Sequence, residues 1–157
     1  MSHHPDTDAP ATVVVADDND DLRLLVRSHL SRDARFRLAA EVADGRAAVD
    51  AVAQHQPDLI LLDLRMPRMD GLEAMPQVLT RSPRTMVVAL SDFDEQVIGG
   101  AAQARGAFAY LEKDTIGTGF TDQLHGLLQE FRRALAGDTV IAPARPAQGD
   151  WRPPRHA

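Results

Sequence analysis

Three aspartates stand at the ends of apolar runs in the sequence. Asp17 and Asp18 follow TVVVA, and Asp63 ends DLILLD. If these runs are neighbouring parallel strands, their carboxyl ends meet at one edge of the sheet and bring the three carboxylates together. Clustered carboxylates repel one another, so one would stay protonated unless a cation is bound among them. Because all three ligands are hard oxygens, without His or Cys, the cluster predicts a Mg²⁺ site.

Two further polar residues follow later apolar runs. Ser91 comes after MVVAL and offers a hydroxyl, whereas Lys113 comes after AYLE and offers an ammonium group. Lys113 is the only lysine in a chain that otherwise uses arginine. Together with a carboxylate and Mg²⁺, these groups are suited to accepting a phosphoryl group, because the positive charges neutralise the phosphoryl oxygens while the carboxylate attacks in line. We predict that Asp63 is the acceptor because it closes the central strand.

The elements that must position these residues alternate between strand and helix patterns. Five short apolar runs are each followed by a stretch with helical periodicity, which indicates a parallel sheet with right-handed crossovers and helices on both faces. The predicted strands are TVVVA, RLAAEV, DLILLD, TMVVAL and AFAYL. We predict a single α/β domain with a five-stranded, doubly wound parallel sheet of flavodoxin-like order 2-1-3-4-5, which places the first strand beside the third.

Local signals in the predicted helices add detail. Leu22, Leu25, Val26, His29 and Leu30 have the spacing of one stripe on the first helix. The third helix opens on D-G-L-E, which predicts a capping box from Asp70 to Glu73, and it contains Pro76, which removes one backbone hydrogen bond. The fourth predicted helix, DEQVIGGAAQA over 94–104, contains two glycines and is expected to be locally weak.

Length and composition set the limits of these predictions. The 157 residues suit one domain, predicted over 12–136 between a disordered leader, 1–11, and a Pro-rich disordered tail, 137–157. A hydrophobic share of 44% excludes wholesale disorder, and a net charge of −6 argues against a generally basic nucleic-acid-binding surface. The absence of Cys excludes disulfides and cysteine nucleophiles. No segment has the pattern of a signal peptide or membrane span, so we expect a cytoplasmic protein without a membrane partner.

The sequence resembles the receiver domain of two-component response regulators over about residues 12–136. The resemblance is carried by VVVADD (13–18), LILLDLRMPRMDG (59–71), ALS (89–91) and AYLEKD (109–114). It implies a phosphoprotein of a phosphorelay that receives a phosphoryl group from a sensor histidine kinase or a phosphotransfer protein and then changes its affinity for a partner.

The resemblance also implies roles for individual residues. Asp63 would be the phosphoacceptor that carries the aspartyl phosphate. Asp17 and Asp18 would hold Mg²⁺ together with Asp63, and the backbone carbonyl of Arg65 would be a further metal ligand. Lys113 would contact the phosphoryl group.

The resemblance also implies which residues would respond to phosphorylation and how the signal would be passed on. Ser91 and Tyr110 would form the pair that reports phosphorylation. A homodimer would form through the face of the fourth helix, fifth strand and fifth helix. The stretch RMPRMDGLEA and the pair Lys113-Asp114 are most similar to the NarL/FixJ branch, whose receivers usually precede a helix-turn-helix domain. AGDTVIAP (136–143) is similar to that branch's linker, but no recognition helix follows it, so we do not expect DNA binding by this polypeptide.

Two alternatives of other classes remain at this point. A phosphohydrolase with a covalent aspartyl phosphate usually has an acidic residue two positions after the nucleophile, whereas this chain has Arg65. We therefore expect a switch with self-catalysed phosphotransfer and dephosphorylation rather than an enzyme with substrate turnover. The other alternative is a phosphorylation-independent interaction module that keeps only the fold. Arg65 and Phe93 stand where the family tunes the lifetime of the phosphoryl group, and neither positions water, so a long-lived phosphorylated state is expected.

Overall fold

The computed structural model describes residues 9–92, 102 and 105–137, and these contain a five-stranded parallel sheet. The strands are β1 (Ala11–Ala16), β2 (Phe36–Val42), β3 (Leu59–Asp63), β4 (Met86–Ser91) and β5 (Ala109–Glu112). Their spatial order is β2-β1-β3-β4-β5, and every neighbouring pair is parallel. The predicted α/β fold and the predicted 2-1-3-4-5 order are confirmed.

Helices cover both faces of the sheet. The described helices are α1 (Asp20–Ser31), α2 (Gly45–His55), α3 (Gly71–Arg81) and α4 (Phe120–Leu135), with a short 3₁₀ turn at Lys113–Thr115. The helix predicted over 94–104 lies outside the described residues except for Ala102, so α4 corresponds to the fifth predicted helix. Within the described part of the chain, no helix combines the length and apolarity needed to cross a membrane.

Alternating side chains of the inner strands build two core layers. Leu59 and Leu61 of β3 pack on the side of α1 and α4, whereas Ile60 and Leu62 pack on the side of α2 and α3. All five residues of β3 are buried, as expected for a parallel strand covered on both faces. The two layers fix the strands, and the strands fix the residues that follow their carboxyl ends.

Helix α1 begins directly after the acidic pair. The side chain of Asn19 accepts hydrogen bonds from the backbone N–H groups of Asp21 and Leu22, so Asn19 is the N-cap. Only part of the predicted stripe is buried, since Leu22, Val26 and Leu30 lie in the core while Leu25 is 38% exposed. Each helical residue is rotated by about 100° from the one before it, which places Leu25 a quarter turn away from the buried Val26.

Helix α3 begins with the predicted capping box and continues through Pro76. Proline has no N–H, so the carbonyl of Leu72 receives no hydrogen bond from position 76. Arg105 supplies a hydrogen bond in its place, because its Nη1 donates to the Leu72 carbonyl oxygen at 3.0 Å. A side chain from the segment before β5 therefore satisfies the backbone group that Pro76 leaves unpaired.

Candidate functional site

The three predicted aspartates meet at the carboxyl edge of the sheet, where β1 lies beside β3. Asp17 and Asp18 follow β1, and Asp63 is the last residue of β3; their candidate ligand oxygens lie within 4.8 Å of one another. Asp17 is fully buried and Asp63 is 2% exposed, whereas Asp18 is exposed. The cluster is therefore buried at Asp17 and Asp63 and open to solvent at Asp18.

Backbone and side-chain contacts fix Asp17 on three sides. Its N–H donates to the carbonyl oxygen of Val42 at 3.0 Å, which ties it to the end of β2. Its Oδ1 accepts from the N–H of Asn19 at 2.9 Å. Its carbonyl oxygen accepts from Nη1 of Arg23 at 2.5 Å. These contacts leave Oδ2 as the oxygen that faces the rest of the cluster.

Asp63 is fixed by the loop that follows it and by the start of α3. Its Oδ1 accepts a hydrogen bond from the N–H of Arg65 at 3.1 Å. Gly71 packs against the Asp63 backbone, and a Cβ at Gly71 would lie 2.1 Å from the Asp63 carbonyl oxygen. Only glycine therefore allows α3 to begin this close to the predicted acceptor.

The loop between β3 and α3 is also fastened to the start of α2. Gly45 donates its N–H to the carbonyl oxygen of Met69 at 2.8 Å, and Arg68 forms an ion pair with Asp44 at 2.9 Å. Arg68 has a φ of 67°, in the left-handed region that few side chains favour. These contacts hold the backbone that carries Arg65, whose carbonyl is a predicted metal ligand.

The single lysine of the chain lies among these carboxylates. Lys113 Nζ is 2.9 Å from Asp17 Oδ2 and 3.3 Å from Asp63 Oδ2, at ion-pair distance but without hydrogen-bond angles. Asp92, which the sequence analysis did not single out, lies 3.9 Å from the same nitrogen. One ammonium group therefore faces several carboxylates, and the site keeps a net negative charge.

Three buried oxygens at the site have no hydrogen-bond partner among the described residues: Asp17 Oδ2, Asp63 Oδ2 and Ser91 Oγ. Buried polar atoms are normally paired, so this concentration indicates that the site is built for groups supplied from outside the chain. Carboxylate oxygens with excess negative charge fit a hard divalent cation. The acidic cluster of Asp17, Asp18 and Asp63 could thus hold a metal ion.

The electrostatics of the site oppose ionisation of Asp63. Burial raises the pKa of Asp63 from 3.8 to about 7, and the charge of Asp17 adds to this effect against the opposing Arg65 N–H and Lys113. Burial alone would lower the pKa of Lys113, but the neighbouring Asp17 and Asp63 carboxylates outweigh it and raise that pKa. The lysine therefore stays charged at neutral pH, while burial opposes the loss of the Asp63 proton in the absence of a cation.

Ser91 and Tyr110 lie towards the same face of the sheet on neighbouring strands. In the register of β4 and β5, Tyr110 pairs with Ala89, and Ser91 pairs with Glu112. Tyr110 is 2% exposed and packs in the core layer beneath α2 and α3. Burial raises the pKa of the Tyr110 phenol, and the charge of Glu112 adds to the shift. Phe93, predicted to affect phosphoryl lifetime, lies outside the described residues.

The chain is similar to known response regulators in sequence and in structure. The family model of the response regulator receiver domain matches residues 13–123. The nitrate/nitrite response regulator protein NarL of Escherichia coli is 34% identical over 137 residues, which cover 86% of this chain and 59% of that protein. The transcriptional regulatory protein PdtaR of Mycobacterium tuberculosis is 34% identical over 142 residues, which cover 88% of this chain and 68% of PdtaR.

Among solved structures, the signal receiver domain of the putative response regulator NarL from Mycobacterium tuberculosis superposes with a TM-score of 0.68 at 34% identity, covering 75% of this chain and 96% of that one. The aligned part thus spans almost the whole of a solved receiver domain, while it spans only 59% of full-length Escherichia coli NarL. The match covers both strand ends that carry the acidic cluster. The chain belongs to the response regulator receiver domain family.

Proposed function

We propose that this protein accepts a phosphoryl group on Asp63 in a Mg²⁺-dependent reaction and thereby switches its affinity for a partner. The observation that carries the proposal is the approach of Lys113 to Asp17 Oδ2 and Asp63 Oδ2, two of the three buried oxygens that have no hydrogen-bond partner in the described part of the chain. The donor would be a sensor histidine kinase or a phosphotransfer protein, because members of this family receive the phosphoryl group from a phosphohistidine.

Asp17, Asp18, Asp63 and the backbone carbonyl of Arg65 would hold Mg²⁺. When bound, the cation supplies positive charge to the phosphoryl oxygens. An oxygen of Asp63 forms the new O–P bond as the N–P bond of the donor breaks, and the donor imidazole nitrogen keeps the electron pair of that bond. Lys113 stabilises the negative charge that moves onto the aspartyl phosphate. The N–H of Arg65 orients the acceptor through Asp63 Oδ1.

The orphaned hydroxyl of Ser91 supports a role as the first part of the switch. A phosphoryl group on Asp63 would offer Ser91 Oγ the hydrogen-bond acceptor that it otherwise lacks among the described residues. Tyr110 lies two pairing positions earlier on the neighbouring strand, towards the same face of the sheet, and would follow that movement. We assign the changed affinity, including homodimerisation, to the face formed by β5, α4 and the helix predicted over 94–104.

Arg65 also supports a long-lived phosphorylated state. It stands two positions beyond Asp63, and its guanidinium does not accept the hydrogen bond that would orient an attacking water. Arg65 also argues for a switch over a phosphohydrolase, because a phosphohydrolase would need an acidic residue at this position as its general acid. We expect Arg65→Asn to shorten the phosphoryl half-life several-fold after removal of the donor, whereas loss of the phosphoryl group within seconds from the unaltered protein would contradict the assignment.

The decisive experiment is intact-mass analysis after incubation with acetyl phosphate, with and without Mg²⁺. We expect a gain of one phosphoryl group that maps to Asp63, requires Mg²⁺ and is lost in Asp63→Asn. Asp114→Asn is the matched control, because Asp114 is an exposed carboxylate beside Lys113 that is not in the acidic cluster. No gain in a folded protein would refute the proposal and favour a phosphorylation-independent interaction module.

A further inference from the structure

Arg23 on α1 reaches back to the loop that carries the acidic pair. Its Nη1 donates to the carbonyl oxygen of Asp17 at 2.5 Å, and its side chain is only 17% exposed. The same guanidinium forms an ion pair with Asp20 at the start of α1. Its Nε lies 3.6 Å from Oε1 of Glu41 on β2. One side chain therefore joins the acidic loop, the first turn of α1 and the edge strand.

The carbonyl that Arg23 holds belongs to the peptide unit between Asp17 and Asp18. A peptide unit is planar, so fixing its oxygen also fixes the direction in which the chain enters Asp18. The N–H and Oδ1 of Asp17 are already fixed by Val42 and Asn19. The bond from Arg23 adds a constraint on the plane of the peptide that leads from Asp17 into Asp18.

Arg23 differs from Lys113 in what its charge contacts. Lys113 forms ion pairs with Asp17 Oδ2 and Asp63 Oδ2, where a cation would also bind. Arg23 instead donates to the backbone carbonyl of Asp17, and its carboxylate partners among the described residues are Asp20 and Glu41 rather than these two oxygens. The planar guanidinium has several donors in fixed directions, which allows one residue to hold the carbonyl and two carboxylates at once.

We propose that Arg23 is a positioning residue for the cation site, which orients the Asp17–Asp18 peptide so that both carboxylates can bind one divalent ion. The inference rests on the proposed function, because it assumes that the acidic cluster binds Mg²⁺. Outer partners of metal ligands commonly change metal affinity by about 10-fold to 100-fold when they are removed. Arg23 acts on the ligands through the backbone and does not touch the phosphoryl group.

The test compares Mg²⁺ affinity, measured by isothermal titration calorimetry on the full chain, in Arg23→Met, Arg23→Lys and Arg27→Met. Arg27 is the matched control, because its Nε contacts the same Glu41 at 2.9 Å from one turn further along α1. We expect Arg23→Met to weaken Mg²⁺ binding about 10-fold. Arg23→Lys restores part of the loss, and Arg27→Met stays within about 2-fold of the unaltered protein.

Phosphorylation by acetyl phosphate supplies a second readout. A positioning role predicts that Arg23→Met needs more Mg²⁺ for half-maximal rate but reaches nearly the same rate at saturating Mg²⁺. Unchanged Mg²⁺ affinity in folded Arg23→Met overturns the inference. If Arg23→Met does not fold, Arg23→Gln replaces it, and unchanged affinity there is equally contrary. Absence of Mg²⁺ binding by the unaltered protein refutes the proposed function itself.

Discussion

Replacing Asp63 with asparagine should stabilise the cation-free protein at alkaline pH. The folded state raises the pKa of Asp63 from 3.8 to about 7, chiefly through burial. The folded protein therefore keeps a proton on Asp63 at pH values where the unfolded chain has lost it. The contribution of Asp63 to the free energy of unfolding falls as pH rises from about 4 to about 7, and this loss is complete above that range. An asparagine carries no titrating group and escapes this loss, while its amide oxygen can still accept the Arg65 N–H.

The structure sets the size of the effect. A shift from 3.8 to about 7 corresponds to at most about 4 kcal/mol, because one pKa unit equals about 1.4 kcal/mol. Asp63 is only 2% exposed, but the site opens to solvent at Asp18, where water screens the charge. We therefore expect Asp63→Asn to raise the free energy of unfolding by about 1–3 kcal/mol at about pH 8 relative to its effect at about pH 4.

Urea denaturation at several pH values, with a chelator present, measures this difference directly. The difference between Asp63→Asn and the unaltered protein should grow between about pH 4 and about pH 7, since other groups titrate equally in both. Asp114→Asn, which removes an exposed carboxylate, should show no such growth. A stability difference that stays constant over this pH range would refute the argument that burial suppresses ionisation of Asp63.

Three further predictions concern the cation site, the close contact between Gly71 and Asp63, and the proline in α3. Mg²⁺ affinity should fall as pH drops below about 7, because protons compete with the cation for Asp63, and calorimetry at about pH 6 and about pH 8 would detect it. Gly71→Ala should cost about 1–3 kcal/mol in urea denaturation and slow phosphorylation, because its Cβ would collide with the acceptor backbone. Gly126→Ala should instead stabilise α4 by up to about 1 kcal/mol, because a Cβ added at Gly126 would have no neighbouring atom within 4 Å. Equal effects of Gly71→Ala and Gly126→Ala on stability would contradict the steric reasoning. In a double-mutant cycle, Pro76→Ala and Arg105→Ala should couple by about 0.5–1 kcal/mol, because alanine restores the N–H that the arginine replaces; additive effects would exclude this role.

The sheet and the acidic cluster could be predicted because they depend on features that are local in the sequence. Each strand is a short apolar run, and the chemistry follows the carboxyl end of a run, so the order 2-1-3-4-5 alone brings Asp17 and Asp63 together. The capping box of α3 is equally local, since Asp70 and Glu73 are three residues apart.

Other features could not be predicted because they depend on where a side chain lies in three dimensions rather than on its neighbours in the sequence. Arg23 is one of many arginines in the sequence and stands at a polar position of α1. No motif or spacing in the sequence indicates that it contacts the Asp17 carbonyl. Arg105 is separated from Leu72 by 33 positions, so the lost hydrogen bond at Pro76 is visible in the sequence but its replacement is not. Leu25 fits the apolar period of α1, yet it is 38% exposed because the helix turns it away from the core.

The acidic cluster links stability to function in a way that the fold alone does not require. Three carboxylates around one ammonium weaken the cation-free fold above the pKa of Asp63, and the same excess charge favours binding of a divalent ion. A ligand that binds only the folded state stabilises it by mass action. Mg²⁺ should therefore raise the free energy of unfolding most at the pH values where Asp63 destabilises the protein most. It follows that Asp63→Asn gains stability without Mg²⁺ and loses most of the response to Mg²⁺, because one carboxylate causes both effects.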